Sequence, residues 1–443
     1  MSGPDPRGLG AKVEALMRAY VVPGVAMGLV DPDGERTWGF GITNVEHPLP
    51  VDADTVFEIA SITKTMTATV AARLAADGRL ELDAPVRRYV PDFRVADADV
   101  SGRVTVRDLF THTAGWFGEY LPPTGHGADA IALGVAAMAG LDQVSPMGTF
   151  SYNNNSLTLA GRIIEVIERR PYEQVVREQL FEPLGMTRSF FRAEDVLYER
   201  LAAGHTVRDG QPVLVRSRFG EGSGGAPVGG VRSTARDLLR YARAHLGAGG
   251  GPAVMPDAGF AAMREPRVAM GPTGHVGLSW FLEERDGVRI ASHGGATVAH
   301  MSQLAIVPAR GAAFTILTNG ANGARLCADL TEWLLTEWLA LPGRRRPVPL
   351  DAAPDLAQYA GRYWAPLSDI TLVADDGALV LRLTWKGSVA ERPTPAPLRL
   401  VFSGPDIVVA TAGDPPAVAD FLRGRDGAIA YFRWGGRTRR KVA

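Results

Sequence analysis

The chain has 443 residues, with 47 basic against 48 acidic side chains, 46% apolar and 21% charged residues. That length exceeds one small domain and predicts two or three units, with apolar residues enough for real cores. A net charge of −1 excludes a polyanion-binding face, so no nucleic-acid partner is expected, and no apolar run is long enough to predict a membrane span.

Cys327 is the one cysteine, so no intrachain disulfide can form. It falls on an amphipathic helix and reads as a buried, inert thiol. The eight histidines form no His-Glu-x-x-His and no Cys/His cluster, so no metal and no other cofactor is expected. "MSGPDPRGLGAKVEALMRAY" lacks the apolar core of a signal peptide, and a cytoplasmic location is expected.

In chain order, residues 8–20 read as an amphipathic helix. "GVAMGLV", the turn "DPDGE" and "RTWGFGITNVE" read as a hairpin. Residues 61–77 read as a helix, with Met66, Val70 and Leu74 four apart and Ser61 in an N-cap-like position. "GRVTVRDLFTHTAGWFG" (102–118) ends a helix at Gly115. Residues 156–170 form a helix that stops before Pro171, and "PYEQVVREQLFEPLGM" is another. "GEGSGGAPVGG" (220–230) is a long loop beside a cleft, and "STARDLLRYARAHL" reopens a helix capped by Ser233 or Thr234. Three or four strands follow between Val276 and Thr318, then a helix over 322–340. One sheet therefore draws strands from both ends of this region, an α/β arrangement with helices in the middle.

"LPGRRRPVPLDAAPD" carries four prolines and no periodicity, so it reads as a linker. The predicted units are 1–341, a linker over 342–356, and 357–443. The last unit alternates short apolar runs with "DDG" and "RDG" turns and reads as a small antiparallel barrel. Its basic end, Arg437, Arg439, Arg440 and Lys441, reads mostly as a solvated tail.

Lysine stands only at Lys12, Lys64, Lys386 and Lys441; every other basic residue is arginine. Lysine can lose its proton when desolvated, whereas arginine does not. Lys64 lies three residues after Ser61, on the same helical face. Ser-Ile-Thr-Lys therefore reads as a nucleophile and its base. The positive end of the helix disfavours an ammonium there.

Further on, "FSYNNNS" holds Tyr152 and Asn154, "ASHGGAT" holds His293, Gly294 and Gly295, and "FTHTAGW" holds His112 and Gly115. Taken in order, Ser61–Lys64, Tyr152–Asn154 and His293–Gly295 resemble the signatures of the penicillin-recognising serine enzymes. That group includes class C β-lactamases, D,D-peptidases, D-aminopeptidases, esterases and transacylases. The resemblance covers about residues 8–340. It implies an antiparallel sheet flanked by helices with a helical subdomain, and the C-terminal unit resembles the lipocalin-like barrel of some members.

The resemblance implies an acyl-Ser61 intermediate. The acyl donor is an ester, thioester or amide of a small molecule or short peptide, and the acceptor is water or an amine. It makes Tyr152 the group that activates water or protonates the leaving group; a phenol can do this as a base if nearby cations lower its pKa. Asn154 would hold Lys64 or a substrate amide. The backbone N–H groups of Ser61 and Ala296 would form the oxyanion hole. Gly294 and Gly295 would let the substrate backbone approach the strand edge. Many members carry lysine where His293 stands. Histidine titrates near neutrality, so strong carboxylate binding at that position is not expected, which favours esterase, amidase or transacylase over β-lactamase. No glutamate is assignable as a deacylation base. Three alternatives remain: a thioesterase or cyclase that releases a nonribosomal peptide in secondary metabolism, with Arg437 meeting a substrate carboxylate; a D-amino-acid-specific peptidase or esterase; and a non-catalytic ligand-binding or sensor module. The oligomeric state is not readable.

Overall fold

A computed structural model describes residues 8–216, 223–413 and 416–442. Strands β1 (Gly24–Asp31) and β2 (Gly34–Gly41) form the expected hairpin. Four later strands join them: β3 (Phe281–Arg285), β4 (Val288–Ala296), β5 (Met301–Val307) and β6 (Ala312–Thr318). The order is β2-β1-β6-β5-β4-β3, antiparallel, with two-residue strands Val268–Ala269 and His275–Val276 beyond β3. The first and last segments of this unit thus pair directly, with β1 against β6.

Both faces of the sheet are covered, which is why β1 is almost uniformly apolar rather than alternating. Helices α1 (Leu9–Tyr20), α2 (Thr63–Ala76), α3 (Asn155–Glu168), α4 (Ala235–His245) and α5 (Gly323–Trp333) provide the cover. Val25, Met27 and Leu29 of β1 pack with Leu9 and Val13 of α1 and Leu326 and Leu330 of α5. Ala26 and Val30 share the other core with α2, α3 and α4. Gly28 lets α4 close on the sheet: a Cβ there would stand 2.7 Å from Leu239.

Helix α2 falls where the spacing of Met66, Val70 and Leu74 predicts a helix. It runs through the core, buried from Thr63 to Ala72. Its threonines are tolerated there because each finds a partner. Thr67 Oγ1 bonds Tyr172 Oη (2.7 Å) and the Pro227 carbonyl (2.8 Å), and Thr69 Oγ1 bonds Tyr241 Oη (2.8 Å). The helix expected to end at Gly115 ends three residues earlier, where His112 turns left-handed at φ 57°. Thr234, not Ser233, caps α4, accepting from Asp237 N–H at 3.1 Å. Residues 220–222 of the glycine-rich loop lie outside the described residues. Its later part is a short turn at Ser223–Gly225 and one helical turn at Ala226–Gly229. No described helix is long and apolar enough to cross a membrane.

No helix or strand lies between Trp338 and Leu356. Beyond it stand β7 (Gly361–Ala365), β8 (Ser368–Asp375), β9 (Ala378–Trp385), β10 (Leu398–Gly404), β11 (Ile407–Gly413), β12 (Pro416–Arg423), β13 (Ile429–Trp434) and β14 (Arg437–Lys441). They form a closed barrel with its own core, which includes Tyr363, Phe402, Phe421 and Phe432. The eighth strand corrects the sequence reading. Arg437 to Lys441 is not a solvated tail but the closing strand, paired with β13 and, through Tyr363↔Lys441 and Trp364↔Arg440, with β7.

The outer face of β12–β14 lies against the first unit. Arg433 pairs with Asp420 at 2.5 and 2.9 Å and donates to the Phe150 carbonyl at 3.1 Å, all buried. Asp420→Ala would leave that guanidinium buried without its carboxylate. The expected cost is about 3 kcal/mol, read as a lower denaturant midpoint, with turnover falling as Phe150–Tyr152 loosens.

Candidate active site

The site begins with a strained turn. Ala60 is held at φ 46°, a left-handed angle that non-glycine residues seldom take. It opens a one-turn 3₁₀ helix, Ala60–Ile62, that runs into α2. Ser61 therefore does not cap α2; the hydrogen bond found at its Oγ runs to Lys64 Nζ, at 2.9 Å. Gly295 of β4 makes room for this turn, because a Cβ there would stand 2.1 Å from the Ile59 carbonyl. The glycine thus makes room for the serine turn, and Gly294 and Gly295 both line the cavity along this strand edge. At Gly294, a Cβ would meet Gln303 Oε1 at 3.1 Å.

Lys64 is fully buried. Its second partner is the Val228 carbonyl, at 2.8 Å, and not the Asn154 side chain. Burial, aided by the Arg437 charge, holds its pKa well below the ordinary lysine value. That shift favours the neutral amine, the form whose lone pair can take the serine proton. Val228 had no signal of its own beyond the glycine-rich loop around it.

Tyr152 hydrogen-bonds Ser61. Lys64 Nζ lies 5.2 Å and Arg437 Cζ 5.0 Å from its ring centre. These cations were expected to lower the phenol pKa. Burial outweighs them and pushes it up to about 12, so Tyr152 rests as a proton donor. Its backbone is held from two sides. Gly436 O of the barrel accepts from Tyr152 N–H (2.8 Å), and Ser151 Oγ accepts from Thr438 N–H (3.1 Å). His112 O accepts from Ser151 N–H (2.9 Å), and His112 Nδ1 accepts from Asn153 N–H (3.2 Å). His112 also packs its ring 4.6 Å from that of Tyr152, a supporting role the sequence did not disclose.

His293 is buried and stacked on Phe281 at 4.6 Å. Its Nδ1–H donates to the Gly294 carbonyl at 2.6 Å, and no protein partner among the described residues reaches Nε2. Burial lowers its pKa to about 3. The expectation of titration near neutrality is therefore corrected: the ring is neutral at any ordinary pH, held from charging by its dry surroundings. Asn154 is fixed by its N–H to the Gly118 carbonyl (2.9 Å) and lines the cavities below.

Strand β3 stops pairing with β4 at Ser292. Thr297 N–H donates to the His300 carbonyl on the β5 side, at 2.9 Å. Bonding alternates along an antiparallel pair, so Ala296 turns its N–H to the edge β3 leaves uncovered. Ser61 and Ala296 then share one space, as an oxyanion hole requires. Arg437, at the start of β14, reaches in from the barrel and pairs with Glu119 at 3.2 Å.

Two cavities meet at Ser61. One, of about 680 Å³, runs along the β4 edge past Tyr152 and Phe281 and is bounded by Gly435, Gly436 and Arg437. The other, of about 650 Å³, lies beside Tyr120, Leu121, Phe191 and Val228. Ser61, Asn154 and Ala296 border both. No cluster of metal-ligating side chains occurs among the described residues. Cys327 is buried, its thiol raised to about 12.

Residues 9–336 match the Beta-lactamase family model. The chain belongs to the β-lactamase family of serine hydrolases. It is similar to Penicillin-binding protein 4 of Amycolatopsis lactamdurans, with 33% identity over 369 residues, 80% of this chain and 96% of the relative. Among solved structures, SurE aligns over 98% of each chain with 27% identity and a TM-score of 0.81. SurE with D-Leu aligns over 98% of this chain and 99% of that one, with 25% identity and a TM-score of 0.77. The two SurE likenesses run through the barrel, whereas the family match ends before it.

Lys64→Arg keeps the charge and the reach but removes the neutral base, so turnover should fall at least about 100-fold, measured as kcat on an activated ester. Arg437→Gln removes a charge that holds Lys64 deprotonated. The Lys64 pKa then rises, and the acid limb of kcat/KM moves to higher pH, while Arg437→Lys keeps the limb in place.

Proposed function

We propose that the enzyme is an acyltransferase that carries a peptidyl or small-molecule acyl group on Ser61 between two partners, one in each cavity. The carrying observation is that Ser61, Asn154 and Ala296 border both spaces at once. Neutral Lys64 takes the Ser61 proton as Oγ bonds the carbonyl carbon of an ester, thioester or amide. The N–H groups of Ser61 and Ala296 receive the oxyanion. Tyr152 gives its proton to the leaving group as the old bond breaks, and protonated Lys64 restores it. In the second half the incoming water or amine gives up a proton by the reverse route and takes the acyl group.

The resting proton inventory supports this order. A neutral amine beside the nucleophile and a neutral phenol facing the leaving group are the two states the first step consumes. With His293 neutral, Arg437 is the cation of the barrel-side cavity that lies over the Tyr152 ring. A partner that carries a carboxylate would be read there, in competition with Glu119.

A second reading, release of a nonribosomal peptide by hydrolysis or cyclisation, draws support from the full-length likeness to SurE. The D-Leu in one SurE crystal supports a D-configured residue at one side of the site. The test is partition. A peptidyl thioester is offered with rising amine, and products are weighed by mass. The expected result is an acyl-Ser61 mass and a product ratio that shifts toward the amide as amine concentration rises. Free acid alone across a broad set of amines would leave a plain hydrolase.

A further inference from the structure

Among the described residues, the carboxylates and guanidinium groups that border the two cavities come in opposite-charge pairs, with one exception. Along the barrel-side cavity, Glu283 meets Arg344 at 2.5 Å, Asp420 meets Arg433 at 2.5 Å, and Arg437 meets Glu119 at 3.2 Å. Along the second cavity, Glu58 meets Arg232 at 3.5 Å and Glu194 meets Arg192 at 3.4 Å. Glu173 also borders the second cavity, and no cation among the described residues contacts it. It is half-buried. A like charge stands near: burial pushes the Glu165 carboxyl up, and the Glu173 charge adds to that push.

Glu173 is held in place by the residue before it. It follows Tyr172 at the start of the helix Tyr172–Val176. Tyr172 is fully buried, with its Oη 2.7 Å from Thr67 Oγ1 and its ring 5.6 Å from that of Phe191. Phe191 lines the same cavity, with Tyr120, Leu121 and Val228. The space that begins at Ser61 therefore has apolar walls, suited to an aliphatic stem, and a fixed carboxylate without a counter-ion. Taking a carboxylate out of water unpaired is costly, and a substrate cation is the group that would offset the cost. The direction of the chemistry says which part of the substrate lies there. Tyr152, the proton donor, borders the barrel-side cavity and not this one. The leaving group departs on that side, and the acyl body extends into the space that Glu173 borders.

We infer that the enzyme selects acyl groups that carry a cation, an ammonium or guanidinium at the end of an aliphatic stem, and that Glu173 is the residue that reads it. The inference rests on the acyl-Ser61 step proposed above and not on whether water or an amine receives the acyl group. A carboxylate at a helix start also interacts favourably with the helix dipole, so selectivity and stability are read separately.

The experiment compares thiophenyl esters of Nα-acetyl-lysine and Nα-acetyl-norleucine, each in both configurations, on the full-length enzyme. In the configuration the enzyme prefers, the lysine ester should be consumed with a kcat/KM at least about tenfold higher, the worth of one charge-assisted hydrogen bond. Added salt should shrink that difference. Glu173→Gln should abolish the preference, and Glu173→Lys should turn it toward the ester of Nα-acetyl-aminoadipate. Equal kcat/KM for the two esters on the parent chain overturns the inference. So does a Glu173→Gln chain that keeps the preference and only melts at a lower temperature, the mark of a helix charge alone. The acyl-Ser61 mass is read for every ester. If none labels Ser61, the acyl-transfer reading fails, and calorimetry on the full-length Ser61→Ala chain decides the inference by itself. Nα-acetyl-lysine methylamide should then bind at least about tenfold tighter than its norleucine counterpart, and equal affinities overturn the inference.

Discussion

Lys64 holds no carboxylate and touches no solvent. Its amine lies between a serine hydroxyl and the carbonyl of Val228, inside a helix buried on all sides. A charged ammonium there would be desolvated with only neutral acceptors, so burial favours the neutral amine. Much of the architecture serves that single placement. Helix α2 runs through the core and carries Lys64 at its first turn. The Ala60 turn places Ser61 against it, and Gly295 leaves room for the turn. Burial that would be a fault elsewhere is here what makes a base.

The same dryness sets the other protons. Tyr152 and His293 are both moved toward their neutral forms, one upward and one downward, because burial penalises whichever form is charged. Arg437 lies over the Tyr152 ring, and Tyr152 in turn lies beside the His293 ring. A permanent cation within 5.0 Å of the phenol ring opposes protonation of the lysine and favours the transient tyrosinate.

The oddness of Lys64 was legible in the sequence because composition made it so: it is one of four lysines in a chain that otherwise writes arginine, and it stands one turn after a serine. The Tyr-Asn and His-Gly-Gly fragments were legible as types and order. What the sequence could not carry was the balance of opposing terms. Arg437 and Lys64 near Tyr152 argue for a lowered pKa until burial is weighed, and burial is a property of the whole fold. His293 was misread for the same reason. The closing strand of the barrel was missed because "RTRRK" has no apolar alternation. In this strand the inward positions are cations, Arg437, Arg439 and Lys441, and the outward Thr438 is buried by another unit. Pattern reading assumes that inward means apolar, and it fails where an interior is built to meet charge.

That strand also bears on what the barrel is for. An appended unit that merely caps a cleft would touch it through side chains and could drift without harm. Here the β13–β14 turn, at Gly435 and Gly436 with φ 59° and 74°, lays its backbone along Ser151 and Tyr152. The Tyr152 N–H and the Ser151 hydroxyl are bonded to barrel backbone, not to the unit that carries the serine. The proton donor is therefore positioned at the seam between two units, with His112 and the nucleophile on one side and Gly436 and Arg437 on the other. A shift of the barrel moves the phenol and the cation together, relative to Ser61 and Lys64. The backbone around Tyr152 is therefore held in common by the two units, through Gly436 and Thr438 on one side and His112 on the other.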